Sequence, residues 1–312
     1  MTAVVPEPAG PGARVHVVAP AGPVEPSGLD AGLAAIAKRG FDVRASANLR
    51  GRLGYLAGSD DARLAGLQAA IDDPETRVVW AARGGYGTTR ILDRLRLARF
   101  GDAPPWFVGC SDATALLLEL WVRFGAVSIH GPMAARLGET AAEDVEAVFA
   151  LLGGARQAER DDLRPLVPGT ARGPMVGGNL FVIAHLLGAI RAGFAAGAVL
   201  FLEEVGERPY RIDRCLAQLR RAGVLSEVSG VVLGQLAACD PGPDGVTAAQ
   251  VVEDHLGALG VPVATGYPAA HGARNAPFLH GADVELEVSP QGARLRSLDD
   301  GRGLVARGPG PA

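Results

Sequence analysis

Short apolar runs alternating with helical stretches restrict this chain to few architectures. The runs are Val15-His16-Val17-Val18-Ala19, a segment near Phe41–Ala45, Val78-Val79-Trp80-Ala81-Ala82, Trp106-Phe107-Val108-Gly109 and Ala126-Val127-Ser128-Ile129-His130. Between them, Leu29–Arg39, Asp60–Ile71 and the segment from Ala115 to Trp121 read as helices. Strands that alternate with helices predict a parallel sheet covered on both faces. Residues 1–150 are therefore expected to form an N-terminal α/β domain.

Residues 151–172 change character. Gly153-Gly154, Glu159-Arg160-Asp161-Asp162, Pro165 and Pro168-Gly169 make a polar, breaker-rich stretch that reads as a linker. Beyond it, residues 173–312 read as a smaller, mixed domain. Gly177-Gly178-Asn179 opens a helix expected over Leu180–Ala192, and Ala198–Leu202 and Gly230–Gly234 are buried strands. Helices are expected over Arg211–Ala222 and Ala248–Leu259. Ala282–Leu298 alternates as an antiparallel pair does, with Val284, Leu286 and Val288 on one face.

Composition removes several classes of function. The net charge of −4 over 312 residues leaves no basic excess for a phosphate backbone, so no nucleic-acid partner is expected. No apolar run approaches the roughly 18 residues of a membrane span. The Pro/Gly-rich Met1–Gly12 lacks the basic-then-apolar pattern of a secretory signal. Cys110, Cys215 and Cys239 are scattered and odd in number, which predicts neither a disulfide framework nor a zinc ribbon. The expectation is a cytoplasmic protein. No HExxH and no cluster with ligand spacing occurs, so neither a metal nor a cofactor is expected.

Chemistry concentrates where strands end. Ser111 follows Gly109-Cys110 at the exit of an apolar strand and precedes an amphipathic helix. That corner exposes a nucleophile beside helix N–H groups. It is equally a place where Ser111 or Asp112 would simply cap the helix. Ala113 stands where the G-x-S-x-G elbow has its second glycine, so an ordinary α/β-hydrolase is not indicated. Arg83-Gly84-Gly85-Tyr86-Gly87 follows the preceding strand. It lacks the third glycine of a dinucleotide fingerprint, and its neutral reading is a tight turn. In a parallel sheet it lies at the same edge as Ser111, where a backbone N–H would face an oxyanion.

Of the six histidines, His16 reads as a packed core residue, and His185 and His255 as helix-face residues. His130, at a strand end, is a candidate to line a site. His271, in a loop after Gly266-Tyr267-Pro268, is the best-placed general base, with His280 a weaker rival. Glu203-Glu204 closes the strand at Leu200-Phe201-Leu202. One of them could orient a histidine; alternatively both are a polar strand exit paired to Arg208 or Arg211. Alternation puts the two on opposite faces and leaves the choice open.

Taken in order, these segments resemble the LD-carboxypeptidase family of serine peptidases, which includes muropeptide carboxypeptidases and microcin C immunity peptidases. The resemblance runs over nearly the whole chain. Its carriers are Val17-Val18-Ala19-Pro20-Ala21-Gly22, the Arg83–Gly87 loop, Gly109-Cys110-Ser111-Asp112 and His130-Gly131-Pro132. Leu200-Phe201-Leu202-Glu203 with Pro209–Arg214, and Gly266-Tyr267-Pro268 with His271 and Asn275, complete it. It implies a triad of Ser111 as nucleophile, His271 as base and Glu203, rather than Glu204, as the orienting acid. It also implies an oxyanion hole from the N–H groups of Gly85 and Asp112.

The implied fold is α/β, an N-terminal flavodoxin-like parallel sheet with a smaller β-rich C-terminal domain, usually as a homodimer. The implied reaction releases D-Ala from a murein tetrapeptide, a small muropeptide partner, during peptidoglycan recycling. Cleavage of an aminoacyl-nucleotide analogue by the same residues is the second reading, and a non-catalytic ligand-binding α/β module the third. Cys110, Ala270 and His280 depart from the family pattern, which has an aromatic, a glycine and a proline at those places.

Overall fold

A computed structural model describes residues 3–269 and 271–298. The first part of the chain runs β1 (Arg14–Val18), α1 (Pro26–Lys38), β2 (Asp42–Ala45), α2 (Asp60–Asp72) and β3 (Thr76–Ala81). It continues through the short helices α3 (Thr89–Leu92) and α4 (Arg99–Asp102) to β4 (Trp106–Gly109), α5 (Thr114–Phe124), β5 (Ser128–His130) and α6 (Ala142–Leu152). These five strands pair in parallel in the order 2-1-3-4-5. Alternation along each strand feeds two cores. Val78 and Trp80 pack under α1 and α6, while Val79 and Ala81 face α2 and α5.

The strand order reverses at β1, which pairs with β2 on one side and β3 on the other. In such sheets the crevice at the carboxyl ends of the reversing strands is where ligands bind. The segments that follow β1 and β3 therefore define the working edge. Helix α5 is apolar nearly all round, with Leu116, Leu117, Leu118, Leu120, Trp121 and Val122 buried. A helix of that kind must be covered on every side. The second part of the chain covers it, through Val176, Leu180, Ile183 and Leu200.

That second part comprises β6 (Arg160–Val167), β7 (Gly169–Asn179), α7 (Leu180–Leu186), β8 (Val199–Val205), α8 (Pro209–Arg221) and α9 (Val224–Glu227). Then follow β9 (Gly230–Ala237), α10 (Ala248–Leu256), β10 (Val263–Thr265), β11 (Phe278–His280), β12 (Asp283–Ser289) and β13 (Gly292–Ser297). Seven of these strands close a barrel in the order β10-β6-β13-β12-β7-β8-β9. Leu163, Met175, Phe201, Val232, Ala264, Leu286 and Leu295 fill it. Val284, Leu286 and Val288 share its inner face as their alternation predicts.

Three expectations are corrected here. Residues 151–172 are not a linker throughout, because 160–167 form a barrel strand. Its polar residues Asp161, Asp162 and Arg164 are exposed while Leu163 is buried in the barrel core. A solvated barrel face looks like a linker in sequence, and Pro165 is tolerated where the register shifts. Helix α7 ends at Leu186 rather than Ala192, where the chain turns through Gly188 at φ 92° and Gly193 at φ 74°. Finally, β11 leaves the barrel and joins the first sheet antiparallel to β5, with Phe278 opposite His130. The second part of the chain thus completes the sheet of the first.

His130 and His280 lie at that junction and are fully buried. The His130 ring stacks on Phe278 at 4.8 Å, and the Gly177 N–H donates to His280 Nε2 at 3.1 Å. Burial pushes both imidazoles down to about 3 from the usual 6.5, so they stay neutral in the native state. Between those values the unfolded chain takes up protons that the folded chain refuses. Stability is then expected to fall with pH below 6.5, by on the order of 1.4 kcal/mol per pH unit per histidine. Urea unfolding at stepped pH should show this slope, and His130→Phe should flatten it. An unchanged slope in that variant would remove His130 as a contributor.

Candidate active site

Strand β4 delivers the chain to the working edge through Gly109 and Cys110. A Cβ on Gly109 would stand 2.8 Å from the Ala113 Cβ and 3.2 Å from that of Ala81. The glycine thus makes room for the alanine that occupies the elbow's usual second glycine position. Ser111 follows with φ 58°, a left-handed conformation that is costly for a residue with a Cβ. It opens a 3-10 turn, Ser111–Ala113, that leads into α5. No side chain caps either the turn or the helix. The capping reading of Ser111 therefore has no hydrogen bond behind it, and the strain is held for some other reason.

Asp112 does not cap either; its carboxylate reaches sideways. Oδ2 accepts from the Thr88 N–H at 2.8 Å, tying the glycine loop to the serine corner. Burial pushes this carboxyl up, and the Thr88 and Gly87 hydrogen bonds oppose that. Arg63, on α2 and fully buried, holds the same loop from the other side. It donates to Gly87 O at 2.7 Å and to Pro20 O, and pairs with Asp60. The Gly22 N–H donates to Gly84 O at 2.9 Å.

These bonds press the loop against Ser111. A Cβ on Gly84 would lie 2.8 Å from Ser111 Cβ, 2.9 Å from its Oγ and 3.3 Å from Asp112 N. Gly85 itself bends at φ 98°. The Asp112 N–H belongs to the first turn of a helix and has no intrahelical acceptor. Gly84→Ala is accordingly expected to cut kcat by roughly 10²–10³-fold, the range for loss of one oxyanion donor. Steady-state kinetics beside a thermal melt checks it; unimpaired turnover would place the oxyanion elsewhere.

The expected base and acid, His271 and Glu203, come from the barrel side. Glu203 lies within the buried stretch of β8 and is 0% exposed, and its Oε2 accepts from His271 Nδ1 at 3.1 Å. Room for the pair comes from Gly234, where a Cβ would meet Ala269 O at 2.6 Å and Glu203 Cβ at 3.1 Å. A proton held on Nδ1 leaves Nε2 as the acceptor nitrogen. Glu204 points the other way. It accepts from Asn179 Nδ2 at 2.9 Å, Phe181 N at 2.8 Å and Val205 N at 2.8 Å, so it closes the start of α7. Arg211 pairs with Glu207 and Arg208 with Pro241 O, so neither arginine holds the acids.

Ser111 and His271 line one cavity of about 380 Å³, with Gly84, Gly85, Arg136 and Asn275. Among the described residues no hydrogen bond joins Ser111 Oγ to His271. Such contacts are often long in unliganded sites and tighten around substrate. His130 and His280 lie in the core instead of the cavity, which corrects His130 as a lining residue and His280 as a rival base. Aromatic packing against Phe278 and Phe201 explains why His130 is drawn inward. His16 meets Thr76 Oγ1 at 3.1 Å, and His255 meets Asp213 at 2.8 Å, both away from the site. Cys110 is buried, receives a long 3.6 Å contact from Asn275 Nδ2, and its thiol is pushed up to about 12 by burial. It is no competing nucleophile. Ala270 lies outside the described residues.

Sequence reasoning missed what holds the histidine loop. Asp144, in the first turn of α6, accepts from Asn275 N at 2.8 Å and pairs with Arg274 at 2.9 Å. The Ala141 N–H donates to Ala273 O at 2.8 Å. An acidic residue in a first helical turn is ordinary in sequence, and nothing local marks Asp144 or Arg63 as anchors.

Comparison with known proteins adds to this geometry. The family description "LD-carboxypeptidase N-terminal domain" matches residues 15–131, and "LD-carboxypeptidase C-terminal domain" matches residues 172–286. A Streptomyces coelicolor protein named as a carboxypeptidase is 42% identical over 289 residues, 89% of this chain and 91% of its own. The murein tetrapeptide carboxypeptidase of Pseudomonas aeruginosa is 32% identical, covering 91% of this chain and 94% of its own. The crystal structure of muramoyltetrapeptide carboxypeptidase from Oxalobacter formigenes superimposes with a TM-score of 0.80 at 27% identity. It covers 92% of this chain and 99% of its own. The microcin C7 self-immunity protein, at 16% identity and a TM-score of 0.85 over 95% of this chain and 99% of its own, shares the fold.

Proposed function

Since the chain belongs to the LD-carboxypeptidase family and is a serine-type carboxypeptidase, we propose that it removes the C-terminal D-alanine of murein tetrapeptides through Ser111, His271 and Glu203. The observation that carries the reading is the His271–Glu203 hydrogen bond. It opens onto the same cavity as a serine held in a left-handed conformation.

In this mechanism Ser111 Oγ attacks the carbonyl carbon of the L-centre that precedes the D-residue. His271 Nε2 takes the hydroxyl proton, and Glu203 stabilises the imidazolium through Nδ1–H. The carbonyl oxygen becomes an oxyanion and is received by the Gly85 and Asp112 N–H groups. The C–N bond then breaks as His271 gives its proton to the departing amine. Water, deprotonated by His271, attacks the acyl ester; the ester C–O bond breaks, Ser111 regains its proton and the shortened peptide leaves.

The test is direct. Purified enzyme incubated with a murein tetrapeptide should release D-alanine and tripeptide, seen by mass spectrometry. An aminoacyl-sulfamoyl adenosine in a parallel reaction should be a poorer substrate. Preference for the sulfamoyl compound would transfer the same residues to the microcin-type reaction. The same reading makes the enzyme a cytoplasmic homodimer; its free, buried cysteines suit a reducing compartment.

A further inference from the structure

The three residues of the proposed triad and the oxyanion donors would cleave an internal bond as readily as a terminal one. A carboxypeptidase must in addition recognise the carboxylate that only the last residue carries. On that reading of the site, the cavity needs a cation on the side where the C-terminal residue departs.

Two arginines are among the residues that line the cavity, Arg83 and Arg136. The backbone explains why they come together. The Ala135 N–H donates to Ala82 O at 3.1 Å, so the residues that follow, Arg136 and Arg83, leave two bonded chains at one edge. Among the described residues no carboxylate pairs with Arg83. Its guanidinium donates to Pro23 O, which leaves most of its five donors free. Arg136 pairs with Glu139 at 2.7 Å, with side chains 50% and 61% exposed. A pair that wet is worth little and exchanges readily for a better partner. Glu203, the buried acid nearby, is already engaged with His271. The cavity thus carries positive charge that no acid fully answers.

Position selects Arg136 as the principal group. It stands on the segment that bonds to the histidine loop through Ala141 N and Ala273 O at 2.8 Å. It lines the same cavity as His271, which in the proposed mechanism protonates the departing amine. The carboxylate of an α-amino acid lies two bonds from its nitrogen. We propose that Arg136, with Arg83 beside it, binds the α-carboxylate of the departing C-terminal residue and confines the enzyme to chain ends.

Binding separates this from the catalytic reading. In the Ser111→Ala background, calorimetry compares a tetrapeptide bearing a free C-terminal carboxylate with the same peptide as its primary amide. The acid is expected to bind more tightly, and adding Arg136→Gln should shrink that preference by roughly 10- to 100-fold. Arg136→Lys should restore part of it, because the charge returns without the planar fork. Arg83→Lys, which keeps the charge, should cost less than Arg136→Gln. Equal binding of acid and amide, or a preference that survives both Arg136→Gln and Arg83→Gln, overturns the assignment. Failure of the wild type to turn over the tetrapeptide would instead overturn the catalytic reading, and the acid-to-amide comparison would still decide the role of the arginines.

Discussion

Ser111→Ala is expected to lower kcat by about 10⁴–10⁶-fold, the loss seen when the nucleophile of a serine triad is removed. The thermal midpoint should move by no more than a few degrees. Both halves of this expectation come from the same local geometry. The hydroxyl caps no helix and makes no hydrogen bond among the described residues, so the fold loses little without it. The alanine keeps the Cβ and with it the strain of φ 58°. Ser111→Gly should be as inactive and slightly more stable, because glycine enters the left-handed region freely. The pair of variants separates chemistry from strain. Release of D-alanine at near-normal rates by either one would exclude Ser111 as nucleophile.

Glu203→Gln is expected to cost about 10³–10⁴-fold in kcat, the range for loss of the orienting acid. The side chain keeps its shape, so the fold should survive with little change. Its amide, however, offers an NH₂ group where Oε2 now accepts from Nδ1 at 3.1 Å. With the amide turned that way, His271 would carry its proton on Nε2, which then cannot take the serine proton. Nitrogen NMR of the imidazole would report the change of tautomer directly. Glu204→Gln supplies the contrast. That carboxylate serves Asn179, Phe181 and Val205 at the start of α7, so its loss should lower stability by about 1 kcal/mol. Turnover should stay within tenfold. A reversed order of damage would reassign the acid.

What could be read from sequence divides along physical lines. Strands β3 and β4 were legible because Val78–Ala81 and Trp106–Gly109 are buried on both faces and carry no polar side chain, and β1 because Val15, Val17 and Val18 are buried around a single histidine. The corner at Ser111 was legible because a strand, a glycine and a helix are consecutive there. The barrel was not, since closure depends on partners far apart in sequence, such as Leu163 beside Ala293 and Gly169 beside Val288. Arg63 was invisible for a related reason. It sits on a helix without a clear apolar stripe, where a charged side chain ordinarily means a solvated face. Only the approach of the Pro20 and Gly87 carbonyls turns it into a buried clamp. His130 misled in the opposite direction, because its strand-end position says nothing of the aromatic rings that come from β8 and β11.

The return of β11 to the first sheet bears on how this molecule can move. His271 lies on the stretch between β10, which belongs to the barrel, and β11, which belongs to the sheet. The stretch is fastened along its length, by Tyr267 N to Leu233 O, Ala276 N to Pro268 O and the Asp144 contacts. Swinging the two halves apart as a clamshell would strip β11 from β5 and tear the histidine loop from α6. Hinge opening is therefore closed to this fold as a route for substrate. Substrate is then expected to enter through the standing mouth of the cavity, and only the Ser111–His271 contact is left to tighten around it.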